Sequence, residues 1–239
     1  MKKFLSLFLL LSVLALYPLS VMAAAKKPAD VITDTVEYEK KRLRYSYYMP
    51  QTTTSPSEEL VLVPGLNGQG KSMITKEWKQ LADEKKWLIL APTFRFEGAK
   101  AFNAQQSYQY PKVWSGKALN AAFEKLAEDK GVRVSSLYMV GFSAGAQFVE
   151  RYIFLYPDKI KKAAIISSGS NDSVEKRIST EIFYGIGEKD KDVRKEAATK
   201  FIGEAKNKGI SIIGKTYPKT GHSFNKDMKA DVIEFLKQK

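Results

Sequence analysis

The chain contains a serine, an aspartate and a histidine in surroundings that suit acyl-transfer chemistry, and the serine is the most informative of them. Ser143 lies in the sequence GFSAG (141–145), after the apolar run 137–140 and before apolar residues at helical spacing. A serine between two glycines at a strand-to-helix turn is typical of a nucleophile elbow, whose strained backbone exposes the hydroxyl above the sheet. The same spacing occurs in ordinary glycine-rich turns, but the strand and helix signals on either side favour a nucleophile.

A serine hydroxyl becomes a nucleophile when a base removes its proton, and the chain has a single histidine. His222 lies in YPKTGHSFNKD (217–227), between the last apolar run and the last helical pattern. The imidazole in turn needs a carboxylate that holds its tautomer. Asp190, in GEKDKDV (187–193), is the preferred acid, although an aspartate there also suits a helix N-cap; Asp172 is the second candidate.

The sequence LVLVPGLNGQGKS (60–72) fits two different kinds of loop. Residues 65–72 match the pattern G-x-x-x-x-G-K-[ST] of a phosphate-binding loop. A strand followed by a glycine-rich turn is equally typical of the loop that supplies half of an oxyanion hole. A phosphate loop also needs an acidic residue for magnesium at the tip of another strand, and no apolar run here leads directly into Asp or Glu. We therefore favour the oxyanion loop over nucleotide binding.

The elements that must position these residues can be predicted from hydrophobic periodicity. Residues 35–50 indicate two short antiparallel strands, and from residue 60 onward short apolar runs alternate with amphipathic helical patterns. This alternation predicts one α/β domain with a doubly wound, mainly parallel sheet and helices on both faces. The predicted buried strands are 60–64, 87–91, 137–141, 163–168, 181–187 and 210–217. The predicted helices contain 74–82, 119–126, 193–205 and 228–236.

The N-terminal residues indicate where the protein acts. Residues 1–23 combine two lysines, an apolar run and small residues, which predicts a signal peptide cleaved after Ala23 or Ala25; a membrane anchor is the alternative. We expect residues 24–239 to form an exported domain, periplasmic or secreted, without stable membrane insertion after cleavage.

The overall charge bears on the possible partners. The formal net charge is +13, but the lysines are scattered and no aromatic-interleaved basic motif is present, so we expect no nucleic-acid partner. The absence of cysteine excludes disulfides and thiolate metal sites.

A long aromatic-rich segment, 92–114, shows neither helical nor strand periodicity. Long irregular segments inside compact domains are more often functional than idle. The segment therefore has two interpretations, a substrate cleft or a plug against one face of the sheet. The aromatic residues that we consider for the cleft are Phe94, Phe96, Tyr108 and Tyr110.

Taken together, GFSAG, GEKD and GHSF follow successive predicted strands over nearly the whole length after residue 23, and the chain resembles the α/β-hydrolase superfamily. The order Ser143, Asp190, His222 is the order of that superfamily. The short connection between 168 and 181 leaves no room for a helical cap. The chain is in this respect similar to cap-poor esterases of the polyhydroxybutyrate-depolymerase, feruloyl-esterase and dienelactone-hydrolase types.

The resemblance implies a mechanism and a substrate class. It implies a serine hydrolase that cleaves small-molecule or polymeric carboxylic esters and has no metal or organic cofactor. It also implies that the backbone N–H of Leu66 or Asn67, together with that of Ala144, forms the oxyanion hole. Peptidases and amidases share this arrangement, so amide cleavage is an alternative, as is a catalytically silent protein that binds the cell envelope through its basic, aromatic surface.

Overall fold

In the computed structural model, residues 30–39, 41–51, 56, 58–94, 107–132 and 135–238 are described. The predicted signal peptide and Phe96 lie outside the described residues. Within them, eight strands form a single sheet. The strands are β1 (Ile32–Tyr38), β2 (Lys41–Tyr48), β3 (Glu58–Val63), β4 (Leu88–Thr93), β5 (Ser136–Phe142), β6 (Ile160–Ile166), β7 (Glu181–Gly187) and β8 (Ile212–Tyr217).

The sheet is mainly parallel and doubly wound, as the sequence predicts. The strand order is β1-β2-β4-β3-β5-β6-β7-β8, and β3 to β8 all run in the same direction. The N-terminal hairpin pairs antiparallel in continuous register from Ile32 opposite Tyr47 to Tyr38 opposite Lys41, and β2 pairs antiparallel with β4. Because parallel strands end at the same edge, the segments after β3, β5, β6, β7 and β8 all come together there.

Helices cover both faces of the sheet because apolar side chains alternate between the two faces of the central strands. The α-helices are α1 (Gly70–Met73), α2 (Lys76–Lys85), α3 (Gly116–Lys130), α4 (Ala144–Leu155), α5 (Asp192–Asn207) and α6 (Lys226–Lys237). Helices α3, α4 and α5 pack on the face to which Val61 and Met139 point, whereas α2 and α6 pack on the face of Leu62 and Val140.

One predicted element differs in its environment. The run 210–217 was expected to be buried on both faces, but β8 is an edge strand whose residues 213–216 are exposed, with Ile213 48% accessible. As the last strand of the sheet, β8 has a neighbouring strand on one side only. None of the helices in the described ranges combines the length and the hydropathy that a membrane span requires.

Candidate active site

Ser143 occupies the sharp turn between β5 and α4. Its backbone has φ 55° and ψ −117°, a combination that L-residues adopt only when the surrounding structure enforces it. The turn is tight because Gly141 and Gly145 touch neighbouring backbone. A Cβ on Gly145 would lie 2.3 Å from the carbonyl oxygen of Val63, and a Cβ on Gly141 would lie 2.4 Å from that of Gly145. These contacts require glycine at both positions and thus explain the sequence pattern around the serine.

The segment between β8 and α6 brings the histidine to this turn. Lys189 N–H, after β7, donates to the carbonyl of Thr220 over 2.8 Å, and Asn225 caps α6 by accepting from the N–H of Met228 over 2.9 Å. Between these anchors, the ring of His222 lies 5.2 Å from that of Phe142, centroid to centroid. The imidazole is thereby held beside the elbow.

The three side chains that the sequence selects form one continuous hydrogen-bonded chain. Ser143 Oγ lies 2.9 Å from His222 Nε2. His222 Nδ1 lies 2.9 Å from Asp190 Oδ2 on the other side of the ring. With Nδ1 protonated and donating to the carboxylate, Nε2 presents its lone pair to the serine hydroxyl. This arrangement can transfer a proton from Ser143 to His222.

Asp190 is enclosed and is bonded on both oxygens. Its side chain is fully buried, and Oδ1 accepts from the Lys191 N–H over 2.8 Å and from Arg194 Nη1 over 2.9 Å. Burial by itself disfavours the ionised form, but the hydrogen bonds from His222, Arg194 and Lys191 outweigh it and hold the pKa of Asp190 below its usual value. Sequence reasoning missed Arg194, although its position four residues after the acid, on the first turn of α5, was a usable signal.

The second candidate acid lies elsewhere. Asp172 forms a two-pronged ion pair with Arg151 on α4, with Nε and Nη2 each 2.9 Å from one carboxylate oxygen. Arg151 also donates from Nη1 to the carbonyl of Gln109 over 3.1 Å and covers the ring of Tyr110 at 4.3 Å. Asp172 therefore ties the segment after β6 to α4, and Asp190 is the carboxylate beside His222.

The loop after β3 lies directly against the elbow. A Cβ on Gly65 would stand 3.4 Å from that of Ser143, and the Gly68 N–H donates to the Gly65 carbonyl over 2.9 Å, which closes a turn. Within the described part of the chain, the backbone N–H groups of Leu66, Asn67 and Ala144 have no hydrogen-bond partner. Free N–H groups on both sides of a serine can stabilise a negatively charged oxygen.

The second half of the phosphate-loop pattern has a packing role. The Gly70 N–H donates to Thr93 Oγ1 over 2.8 Å, and a Cβ on Gly70 would lie 2.0 Å from the carbonyl oxygen of Ala91. Glycine is therefore needed here for close contact with β4, and its amide is already used. Helix α1 begins at this glycine and has only four residues.

Two aromatic residues in the described part of this segment belong to the core. Phe94 and Tyr108 are 3% and 2% exposed, and their rings stack at 4.8 Å. Phe94 also lies 5.2 Å from Phe148 on α4. The sequence left a cleft or a plug open for these two residues, and in the structure they pack between α4 and the sheet, where both large rings are buried. Tyr110 is partly exposed, under Arg151.

In the described residues, no group of three or more His, Cys, Asp or Glu side chains could hold a metal ion.

The fold and the site together define a class of protein. The sheet is doubly wound with eight strands, a serine lies on a strained turn after β5, and a histidine follows β8. The chain is an α/β-hydrolase, and no helical cap interrupts the segment between β6 and β7.

A family comparison narrows this class. Residues 51–236 match the profile of the dienelactone hydrolase family, and the chain belongs to that family. Family membership makes it a hydrolase. A comparison with curated protein sequences finds no match.

Solved structures show the same fold at low sequence identity. Poly(aspartic acid) hydrolase-1 from Sphingomonas sp. KT-1 is 18% identical, with a TM-score of 0.68 over 88% of this chain and 99% of that one. The S-formylglutathione hydrolase FrmB from Staphylococcus aureus is 14% identical, with a TM-score of 0.66 over 88% and 99%. A ferulic acid esterase is 13% identical, with a TM-score of 0.66 over 87% and 98%.

Proposed function

We propose that this protein is an exported serine hydrolase that cleaves carboxylic esters through an acyl-enzyme. The observation that carries the proposal is the chain of two 2.9 Å contacts from Ser143 Oγ through the imidazole of His222 to the carboxylate of Asp190. The strained turn at Ser143 and the free N–H groups beside it support the same interpretation.

In the first half of the reaction, Ser143 Oγ attacks the ester carbonyl while its proton passes to His222 Nε2. Asp190 accepts the Nδ1–H bond throughout and stabilises the imidazolium without taking the proton. The carbonyl oxygen becomes an oxyanion that accepts from the Ala144 N–H and from the N–H of Leu66 or Asn67. Each such donor lowers the barrier by roughly 3–4 kcal/mol.

The second half releases the acyl group. His222 Nε2 donates its proton to the departing alkoxide, so the bond between the carbonyl carbon and the alcohol oxygen breaks and the ester of Ser143 forms. A water molecule then replaces the alcohol, gives its proton to Nε2 and attacks the acyl-enzyme. Collapse of the second oxyanion frees the carboxylic acid and returns the proton to Ser143 Oγ.

Ester cleavage is preferred over amide cleavage because the family and two of the three solved relatives are named for ester-type substrates. Poly(aspartic acid) hydrolase-1 is named for a polymer joined by amide bonds, so amides are the second candidate. Parallel assays with a 4-nitrophenyl ester and the 4-nitroanilide of the same acid separate the two. Faster turnover of the anilide would reverse the preference.

The central test is hydrolysis of 4-nitrophenyl acetate and butyrate by the chain that begins after residue 23. Ser143→Ala should abolish hydrolysis while the protein stays folded. Ser72→Ala, which removes an exposed hydroxyl from α1, is the matched control and should retain activity. Wild-type protein that neither hydrolyses these esters nor reacts with a fluorophosphonate probe would overturn the proposal and favour a silent envelope-binding protein.

The remaining part of the proposal is export, with loss of residues 1–23 or 1–25. Expression of the full chain in a bacterial host, followed by separation of cytoplasm, periplasm and medium, tests it. We expect the periplasmic or secreted protein to have Ala24 or Lys26 as its N-terminal residue, measured by intact mass. Retention of Met1 in a membrane fraction would show an anchor instead.

A further inference from the structure

Arg194 gives the buried acid a partner that proton transfer alone does not require. Its Nη1 lies 2.9 Å from Asp190 Oδ1, whereas His222 is bonded to Oδ2. The Arg194 side chain is 22% exposed, so the ion pair lies under the surface and is screened less than an open pair. The carboxylate is therefore shared between a permanent positive charge and an imidazole that changes its charge during the reaction.

This sharing has an electrostatic consequence at the histidine. A lone buried carboxylate beside an imidazole strongly favours the imidazolium, and a base that is already protonated cannot accept the serine proton. A guanidinium on the opposite oxygen offsets part of that negative charge and does not titrate in the working range. It also keeps the carboxylate ionised despite its burial, so Asp190 still orients the Nδ1–H bond.

We propose that Arg194 is a positioning residue that holds Asp190 in place and offsets part of the negative charge that the ring of His222 experiences. The inference rests on the proposed function, since it assigns a role within the same proton relay. Arg194 reaches the substrate only through Asp190 and His222. Its removal should therefore change the pH dependence of catalysis more than the affinity for substrate.

The other charged and titratable groups around this pair are already engaged or are not bonded to Asp190. Glu188 accepts the Lys219 N–H over 2.8 Å, and Lys195 pairs with Asp192 at 2.8 Å. The hydroxyl of Tyr184, on β7, donates to Asn171. Among the described residues, Arg194 is the one permanently charged cation that contacts the carboxylate. The other hydrogen bonds to the carboxylate come from the ring of His222 and the Lys191 N–H. The remaining nearby cations, on the segments that hold Asp190 and His222, are the exposed Lys189, Lys191, Lys219 and Lys226.

The test compares Arg194→Gln and Arg194→Lys with the wild type. We expect the acid limb of the kcat/KM profile for 4-nitrophenyl butyrate, followed by pH-stat from about pH 5 to about pH 9, to move up by about one pH unit in Arg194→Gln. KM should change by less than about twofold. Arg194→Lys keeps a cation at this position, so its acid limb should lie close to that of the wild type.

Lys195→Gln is the matched control because it removes the same charge from the next position of α5 without a contact to Asp190. The acid limb of the kcat/KM profile of Lys195→Gln should coincide with that of the wild type. If Arg194→Gln loses activity or stability while its acid limb stays in place, Arg194 is merely structural and the proposal is wrong. An equal shift in Lys195→Gln would also overturn it, since the effect would then be general to the helix.

The single histidine of the chain provides a readout that does not need turnover. NMR titration of the ring C–H resonances reports His222 directly, and its midpoint should be about one pH unit higher in Arg194→Gln than in the wild type. A wild-type protein without esterase activity would refute the proposed function, whereas equal midpoints in the two proteins would refute the inference. The two failures are therefore distinguishable.

Discussion

Glu150 provides the sharpest prediction about stability. This glutamate lies on α4, two turns beyond Ser143, and is 1% exposed. Its one hydrogen bond in the described structure is a long one, 3.4 Å from the Asp172 N–H to Oε2. Burial, and secondarily the charge of Asp172, raise the pKa of Glu150 to about 8, against the partial opposition of Arg151.

The direction in which the stability changes with pH follows from the protonation state of Glu150 in the folded and the unfolded chain. Above the unfolded value of 4.5 the unfolded chain ionises at this position while the folded chain stays protonated, so stability falls as pH rises from 4.5 towards about 8. At pH 7 the cost is about 3 kcal/mol, from a gap of about 2.5 pH units. Glu150→Gln keeps the shape and the acceptor but cannot ionise. It should raise the unfolding free energy at pH 7 by up to that amount, or Tm by about 6–12 °C.

The assay is urea unfolding of the chain without residues 1–23, followed by tryptophan fluorescence at about pH 5, 7 and 8.5. The advantage of Glu150→Gln should be small at the lowest pH and grow with each step. Glu124→Gln, an exposed glutamate on α3, is the matched control and should show no such growth. A constant difference at all three pH values, or a variant less stable than the wild type at pH 7, would refute the reasoning.

Three further predictions concern the elbow and the two candidate acids. Ser143→Gly should be about 1 kcal/mol more stable than Ser143→Ala, because φ 55° suits only glycine without strain; equal urea midpoints would contradict this. Gly145→Ala, whose Cβ would meet the carbonyl at the end of β3 at 2.3 Å, should lower kcat about tenfold or more in protein that still folds, and full activity would contradict the close packing. Asp172→Asn should lower the unfolding free energy by about 1 kcal/mol and leave esterase activity within about twofold of the wild type. Asp190→Asn should lower esterase activity at least about a hundredfold, and a larger loss of activity in Asp172→Asn would assign the role of the acid to Asp172.

Local patterns were sufficient to predict the architecture. The alternation of apolar runs with helical patterns predicted six of the strands from β3 onward, and residues 35–50 predicted the N-terminal hairpin. Such predictions succeed because buried parallel strands and amphipathic helices each leave a short-range periodicity in the sequence. The exposure of β8 was not predictable in this way, since an apolar run does not reveal whether a strand has one neighbour or two.

The aromatic segment and the choice between Asp190 and Asp172 also depend on contacts that local sequence patterns do not predict. The rings of Phe94 and Tyr108 have no periodicity that separates cleft from core, and only their stacking beneath α4 places them inside. Asp190 and Asp172 both follow strands in the sequence. Their different partners, His222 for one and Arg151 for the other, depend on contacts between segments far apart in the chain.

The sequence by itself determined the types of groups and the edge of the sheet at which they gather. A glycine-flanked serine after a strand, one histidine after the last strand, and acids between them are local features, and parallel strands bring their ends together. The tertiary structure decided which acid meets His222, that Arg194 shares it, and that Ser143 lies 2.9 Å from an imidazole 79 residues away. Contacts of that kind depend on how helices and loops pack across the sheet, which no short stretch of sequence encodes.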